Sequence, residues 1–278
     1  MPGLLILCAT PIGNLGDAPP RLREAIAGAD VVYAEDTRRS RKLLDALGVD
    51  HDLRSYFAGN EAVRSSELAG HLGEGATVVL LTDAGTPSIS DPGVSAVQAA
   101  VSAGADVTVV PGPSAVTAAV AVSGLPSERF VFEGFLPRKG GQRSARLAAL
   151  AGEARTVILF AGKGKVGRDL SDLADVLGGD RRVVVARELT KLHEEVWRGT
   201  LSAAASRWSE DVAPRGEFTL VIAGAVEHQP EPYALLEAVA DLESAGVSRS
   251  EAVREVAGLH GVSRRELYEM VIKGRAGA

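Results

Sequence analysis

The sequence predicts an α/β protein made of two α/β domains and a small helical module, and three observations carry that prediction. Short β-branched runs alternate with amphipathic segments across residues 4–223, the pattern of strands and helices taken in turn. The alternation resets once, at Gly124-Leu125-Pro126-Ser127, where turn-forming residues cluster. It stops at Gln229-Pro230-Glu231-Pro232, a natural linker after which no strand signal recurs. A length of 278 residues, at roughly 150 per domain, and a hydrophobic content of 46% provide apolar material for more than one core. The expected boundaries are 1–123, 124–228 and 229–278.

In the first domain Leu4–Ala9, Val31–Ala34, Leu53–Phe57, Thr77–Thr82 and Val107–Val110 read as strands, short segments set between amphipathic helical patterns. Between and after them Arg21–Ala29, Ser40–Leu47, Glu61–Leu72, Val94–Ala103 and Ser114–Ser123 carry helical patterns. Single strands alternating with single helices call for a largely parallel sheet. In the second domain Phe130–Phe135, Thr156–Phe160, Val183–Arg187, Glu195–Gly199 and Phe218–Ala223 read as strands, with helices over Gln142–Ala151, Arg168–Leu177 and Ser202–Trp208. Several of these strands are joined by short links, so this sheet is expected to be mixed. In the last module Ser248 with Glu251, and Ser263 with Glu266, form capping-box patterns. The turn Leu259-His260-Gly261-Val262 between them completes a helix-turn-helix outline. Residues 231–278 hold six basic and eight acidic side chains, a net −2, which favours a packing module over a reader of DNA.

Composition narrows the function classes. A net charge of −6 argues against a protein that coats nucleic acid by bulk electrostatics. Two local basic runs stand apart, Arg38, Arg39, Arg41, Lys42 and Arg138, Lys139, Arg143, Arg146, with no acid inside either. Such runs are solvated helix faces unless they flank a cleft. No apolar stretch approaches the ~18 residues of a membrane span, and Pro11 interrupts a start that has no basic leader, so a cytoplasmic protein without membrane contact is expected. A lone Cys8 makes neither a disulfide nor a zinc site, and no structural metal is expected.

Ligands of open α/β sheets bind beyond the carboxyl ends of the strands, which singles out three loops. Ala9–Asp17 holds two glycines that bring backbone close to a ligand. It lacks the G-x-G-x-x-G spacing, and Pro11 removes an amide donor, although Glu35-Asp36 after the second strand imitates a ribose-binding acid. A nucleotide loop and a plain turn both fit. Thr82–Gly93 places twelve small, polar and turn-forming residues after a buried strand; a helix cap would explain Asp83 or Asp91 but not both. Pro111-Gly112-Pro113-Ser114-Ala115 stiffens the chain and opens a helix with Ser114 as N-cap, leaving amides for a carboxylate or phosphate.

Seven motifs in order carry a family resemblance. They are Thr10-Pro11-Ile12-Gly13-Asn14-Leu15-Gly16-Asp17, Ala34-Glu35-Asp36-Thr37-Arg38, Asp83-Ala84-Gly85-Thr86-Pro87 with Asp91-Pro92-Gly93, Pro111-Gly112-Pro113-Ser114-Ala115, Gly124-Leu125-Pro126, Glu133-Gly134-Phe135-Leu136-Pro137 and Ala186-Arg187-Glu188-Leu189-Thr190-Lys191. Over about residues 4–275 the chain resembles the bacterial 16S ribosomal RNA (cytidine) 2′-O-methyltransferases of the tetrapyrrole methylase superfamily. The resemblance implies a methyltransferase, usually a homodimer, that binds S-adenosylmethionine between two α/β domains. It implies a cytidine ribose in the decoding centre of the 30S subunit as the methyl acceptor.

On this footing Pro11, Gly13, Asp83 and the backbone of Gly85, Thr86, Ser114 and Ala115 are expected at the cofactor. Arg38, Arg138, Lys139, Lys163 and Lys165 are expected on RNA phosphates, and Asp36, Asp91 and Glu35 stand unranked as candidates for the general base. Two stretches depart from the family pattern. Tyr56-Phe57-Ala58-Gly59-Asn60-Glu61 lacks a histidine the family usually carries, and Ala161-Gly162-Lys163-Gly164-Lys165-Val166 replaces a Tyr-Glu-Ser-Pro-His-Arg segment. The departures touch the substrate side and leave the cofactor loops intact. Competing readings are a superfamily methylase acting on a tetrapyrrole or a protein side chain, a non-catalytic RNA- or nucleotide-binding relative, and a nicotinamide-dependent oxidoreductase.

Overall fold

The computed structural model describes residues 2–162, 164–209, 215–225 and 232–276. Its contacts divide the chain into Met1–Ala225 and Val226–Ala278. In the first unit five parallel strands, β1 (Leu4–Cys8), β2 (Val31–Ala34), β3 (Leu53–Ser55), β4 (Thr77–Leu81) and β5 (Asp106–Val110), lie in the order β3-β2-β4-β1-β5. Both faces are covered, as near-continuous apolar runs require. Val79 and Leu81 point to α1 (Pro20–Ala27) and α2 (Thr37–Leu47), where Leu22, Ile26 and Leu44 are fully buried. Val78 and Leu80, one step along, point to α3 (Glu61–Gly73) and α4 (Val94–Ser102), against Leu68, Leu72, Ala96 and Ala100.

The next helix, α5 (Ala115–Ser123), leaves its own sheet and covers the second one. That sheet orders β6 (Phe130–Phe135), β7 (Thr156–Ala161), β8 (Arg182–Arg187), β9 (Glu195–Thr200) and β10 (Phe218–Ile222) as β6-β7-β10-β8-β9. Only β6 and β7 are parallel, so the sheet is mixed as expected. One face packs on α6 (Gly141–Ala151), α7 (Val166–Leu177) and α8 (Leu201–Arg207). The other presents Ile158, Val184, Ala186 and Val221 to Ile12, Val116, Ala119 and Val120 of the preceding segment. The break in sequence at residue 123 is thus not a break in packing, because residues from both sides of it share one apolar core.

Several elements differ from expectation for local reasons. The third strand stops at Ser55 rather than Phe57, because Asn60 Oδ1 accepts the Phe57 amide at 2.8 Å and closes a turn. Helix α2 begins three residues early, at Thr37, because Asp36 caps it by accepting the Arg38 amide at 2.9 Å. Ser114 occupies the N-cap position of α5 without a side-chain cap bond. In Val226–Ala278 a helix that the capping patterns did not announce, α9 (Pro232–Ser244), precedes α10 (Arg249–His260) and α11 (Arg264–Ala276). Leu235, Val239, Val253, Val256, Leu267 and Val271 form the core of that unit. The first capping box there is incomplete: Ser248 Oγ donates to Glu251 at 2.6 Å instead of accepting a helix amide. In the second, Ser263 Oγ accepts the Glu266 amide at 3.4 Å. The expected linker Gln229-Pro230-Glu231 lies outside the described residues, and Pro232 opens α9. Among the described residues no helix is long and apolar enough to cross a membrane.

Candidate active site

A cavity of about 360 Å³ opens at the carboxyl ends of the first sheet, the size of a small-molecule site. Its first wall is Ile12, Ala84–Thr86, Ile89–Asp91 and Ser114–Val116, from the loops after β1, β4 and β5. Its second is Phe135, Phe160–Gly162, Ala186, Leu189 and Glu217–Thr219, from the second sheet.

The loops of the first wall are tied by backbone. Thr10 and Gly85 exchange two hydrogen bonds, of 2.8 and 3.1 Å, and Thr10 Oγ1 donates to the Thr82 carbonyl at 3.1 Å. Gly85 has φ +80, a conformation that side chains resist. Gly112 gives way to close packing: a Cβ there would stand 2.7 Å from the Pro19 ring. Ser114 does not cap α5, so the first-turn amides of Ala115 and Val116 remain at the cavity wall as donors.

Backbone strain concentrates in the two loops that face each other here. Among the described residues the positive-φ positions other than glycine are Ser88 (72°), Ser90 (64°), Glu188 (52°) and Thr190 (68°). Each costs about 1–3 kcal/mol and persists where surrounding contacts over-determine it, as at binding sites. The Ser88 and Thr190 hydroxyls are also buried with no hydrogen-bond partner. Lys191 closes the second loop, its ammonium 3.0 Å from Glu188 and 2.8 Å from the cavity residue Glu217. The lysine stem lies where a side chain on Gly13 would be, so Gly13 is a close-approach point between the two halves.

The three acids are separated by their surroundings. Asp36 is spent on Arg38, accepting its amide at 2.9 Å and its guanidinium at 3.0 and 3.2 Å, and these bonds hold its carboxyl down to about 2. Glu35 accepts the Asp83 amide at 3.2 Å while burial pushes its carboxyl up. Asp91 lines the cavity, and burial, with the charges of Glu35 and Asp83 behind it, pushes its carboxyl up to about 7. Among the described residues none donates a hydrogen bond to the Asp91 carboxylate.

Of the residues expected at the cofactor, Gly85, Thr86, Ser114 and Ala115 line the cavity, while Pro11, Gly13 and Asp83 do not. The Asp83 carboxylate is occupied as a brace, accepting the Asp36 amide and the Arg39 guanidinium, both at 3.0 Å. Of the cations expected on RNA, Arg38 is highly exposed but forked onto Asp36. Arg138 and Lys139 are exposed with no partner among the described residues, and Lys165 is exposed with its charge acting on Asp169; they lie on the loops after β6 and β7, which run parallel and so end on one side. Lys163 lies outside the described residues. The second basic run is half structural: Arg143 is buried between Asp169 at 2.8 Å and Asp172 at 2.6 Å, and Arg146 pairs with Glu133. The sequence signal for Arg143 was its place on the apolar face of α6, in helical step with Leu147 and Leu150. Phe135, Phe160, Leu189 and Glu217 were missed, being ordinary strand and strand-end residues brought in by the second sheet.

The pattern of the Tetrapyrrole (Corrin/Porphyrin) Methylases matches residues 4–205. The chain is 48% identical over 276 residues to ribosomal RNA small subunit methyltransferase I of Mycobacterium tuberculosis, covering 98% of this chain and 96% of that protein. It is 43% identical over 274 residues to the protein of the same name from Synechocystis, covering 98% of each. Among solved structures it is similar to diphthine synthase, with a TM-score of 0.59 at 18% identity over 79% of this chain and 89% of that one. Uroporphyrin-III-C-methyltransferase from Thermus thermophilus gives 0.54 at 18% identity over 79% and 94%.

Proposed function

The chain belongs to the tetrapyrrole methylase family, and from that premise we propose that it is an S-adenosylmethionine-dependent methyltransferase acting on the ribose 2′-hydroxyl of a cytidine in 16S ribosomal RNA, within the assembled 30S subunit. The observation that carries the chemistry is Asp91, a cavity carboxyl that accepts no hydrogen bond among the described residues and that burial pushes up to about 7. Its surroundings leave it available as a base where Asp36 is not.

The residues present fit the cofactor. The uncapped start of α5 offers the Ala115 and Val116 amides to a carboxylate, and Gly85 and Thr86 supply backbone beside it. Gly85, Thr86, Ser114 and Ala115 would hold S-adenosylmethionine, with Pro11, Gly13 and Asp83 supporting those loops from behind. When bound, S-adenosylmethionine supplies a methyl group activated by its sulfonium. A ribose hydroxyl attacks well only as its proton leaves, and Asp91 takes that proton, a contribution of about 10²–10⁴-fold. Glu35 and Asp83 act on Asp91 through their charge, which disfavours its ionised form and keeps its affinity for a proton high. The apolar residues Ile12, Val116 and Phe160 exclude water from the wall around it.

Arg138, Lys139 and Lys165 hold RNA phosphates beside the second wall, Lys163 is assigned to the same partner, and Arg38 reaches the backbone farther out. A chain of net −6 has little general attraction for RNA, so the shape of the assembled subunit supplies the remaining selectivity. The setting is the cytoplasm, where ribosomes are assembled. The chain acts as a homodimer, a reading supported by the exposed edge strand β5, whose Val107 and Val109 face solvent. Titration calorimetry tests the cofactor assignment: S-adenosylmethionine and S-adenosylhomocysteine bind and NAD does not, whereas NAD binding alone would replace this reading with an oxidoreductase.

A further inference from the structure

Strand β6 leaves regular pairing just before it ends. Phe132 lies opposite Ile158 and Phe135 opposite Phe160, so three steps on β6 match two on β7. The extra residue is accommodated at Gly134, whose φ is +63. A Cβ there would approach Ser90 Oγ of the opposite wall to 3.4 Å. In an unbroken strand Phe135, an odd number of steps from Phe132, would face the other side of the sheet. The bulge returns it to the side of Phe132 and Phe160, the re-aiming that bulges beside active sites perform.

Three rings meet as a result. Phe132 and Phe160 pack edge to face with centroids 4.9 Å apart, and Phe135 leans on Phe160 at 5.5 Å. Phe135 is nonetheless 54% exposed while lining the cavity. Aiming a phenyl ring at a wet cavity forgoes burial that the core would reward. Its support is rigid: Leu136 is buried, and the Pro137 carbonyl accepts Arg143 Nη1 at 3.0 Å, with Arg143 itself fixed by Asp169 and Asp172. Arg138 and Lys139 follow at once, exposed and without partners among the described residues. One braced loop therefore presents an aromatic face and then two cations, the combination by which proteins hold an unstacked base and its phosphates.

We propose that Phe135 is the platform on which the base of the target nucleotide stacks when its ribose enters the cavity, so that this ring fixes the position of the 2′-oxygen. The inference rests on the ribosomal RNA methyltransferase reading. The ring sits on the wall that carries the free cations, opposite the loops assigned to the cofactor, which favours the RNA base over the cofactor's adenine as its partner.

The test compares Phe135→Ala, Phe135→Leu and Phe135→Tyr with the unaltered protein, measuring methyl transfer to 30S subunits and S-adenosylhomocysteine affinity. Phe135→Ala raises KM for 30S subunits by about 5- to 150-fold, the range of base–aromatic stacking. Phe135→Leu stays impaired, because it restores apolar bulk without a π face, and Phe135→Tyr recovers most of the loss. S-adenosylhomocysteine affinity stays within about twofold in all three, which also certifies that they fold. Lost cofactor affinity with KM unchanged would assign the ring to adenine and overturn the proposal, as would equal activity of Phe135→Leu and Phe135→Tyr, or Phe135→Ala matching the unaltered protein. An unaltered protein that methylates no small-subunit RNA would instead remove the functional reading beneath it.

Discussion

On the first wall of the cavity, the Asp91 carboxyl apart, the polar contacts offered are backbone: Gly85 at φ +80, the uncapped amides of Ala115 and Val116, and loops stitched together by Thr10. On the second they are side chains, with the Phe135 and Phe160 rings, the carboxylate of Glu217 and the cations of the neighbouring loops. Backbone suits a ligand that is the same at every turnover, since amides at the ends of a parallel sheet are placed by the sheet itself. Side chains suit a partner whose base and phosphates must be selected. The difference teaches that the two substrates are recognised by separable means, so substitutions on one wall should leave the other's ligand alone.

The largest expected effect comes from the cavity carboxyl of the first wall. Asp91→Asn lowers kcat by about 10²–10⁴-fold and abolishes the rise in rate near pH 7 that a base of that strength gives, while 30S and cofactor binding persist. The folded protein holds the Asp91 proton to about pH 7, whereas the unfolded chain releases it near 3.8. Native stability therefore falls as pH rises through that window. Asp91→Asn removes that fall, so its Tm at pH 8 exceeds that of the unaltered protein. An unchanged pH profile for Asp91→Asn would take the proton transfer away from this residue.

A middle effect separates support from contact on the first wall. Asp83→Ala deletes the brace to Arg39 and the Asp36 amide and lowers stability by about 1–3 kcal/mol. Denaturant unfolding should register that loss more strongly than cofactor titration does. The reverse order, weak cofactor binding with stability intact, would bring the Asp83 carboxylate back to the ligand.

The smallest effect belongs to the two lysines that follow β7 in the sequence. Changing Lys163 and Lys165 to Ala raises KM for 30S subunits and flattens the salt dependence of binding by about one phosphate contact per lysine. Cofactor affinity stays within about twofold. Loss of the cofactor with RNA binding retained would show that this loop reaches across to the first wall, and the division between the walls would fail.

The first wall was legible in the sequence and the second largely was not. Gly85, Thr86, Ser114 and Ala115 belong to loops that contiguous turn-forming residues single out, and the family resemblance then assigns them to the cofactor. Phe135 belongs to a strand whose register on β7 decides where it points, and the local sign of the bulge was one glycine inside a strand pattern. Asp36 and Asp91 looked alike because both follow strands; burial of one and the Arg38 fork on the other distinguish them, and neither is a local property. Asp83 was placed at the ligand because nothing in the sequence shows that Arg39 and the Asp36 amide reach it first. In the terminal unit α9 opens at Pro232 without a Ser or Thr cap to announce it.

The most direct measurement is the chemical position of the transferred methyl group. Small subunits from a strain lacking the gene for this protein are incubated with it and methyl-labelled S-adenosylmethionine, and the 16S RNA is digested to nucleosides for mass spectrometry. The account predicts label in 2′-O-methylcytidine, with protein-free 16S RNA labelled far less at matched salt. Label on a base, or on ribosomal protein with none in RNA, would contradict it.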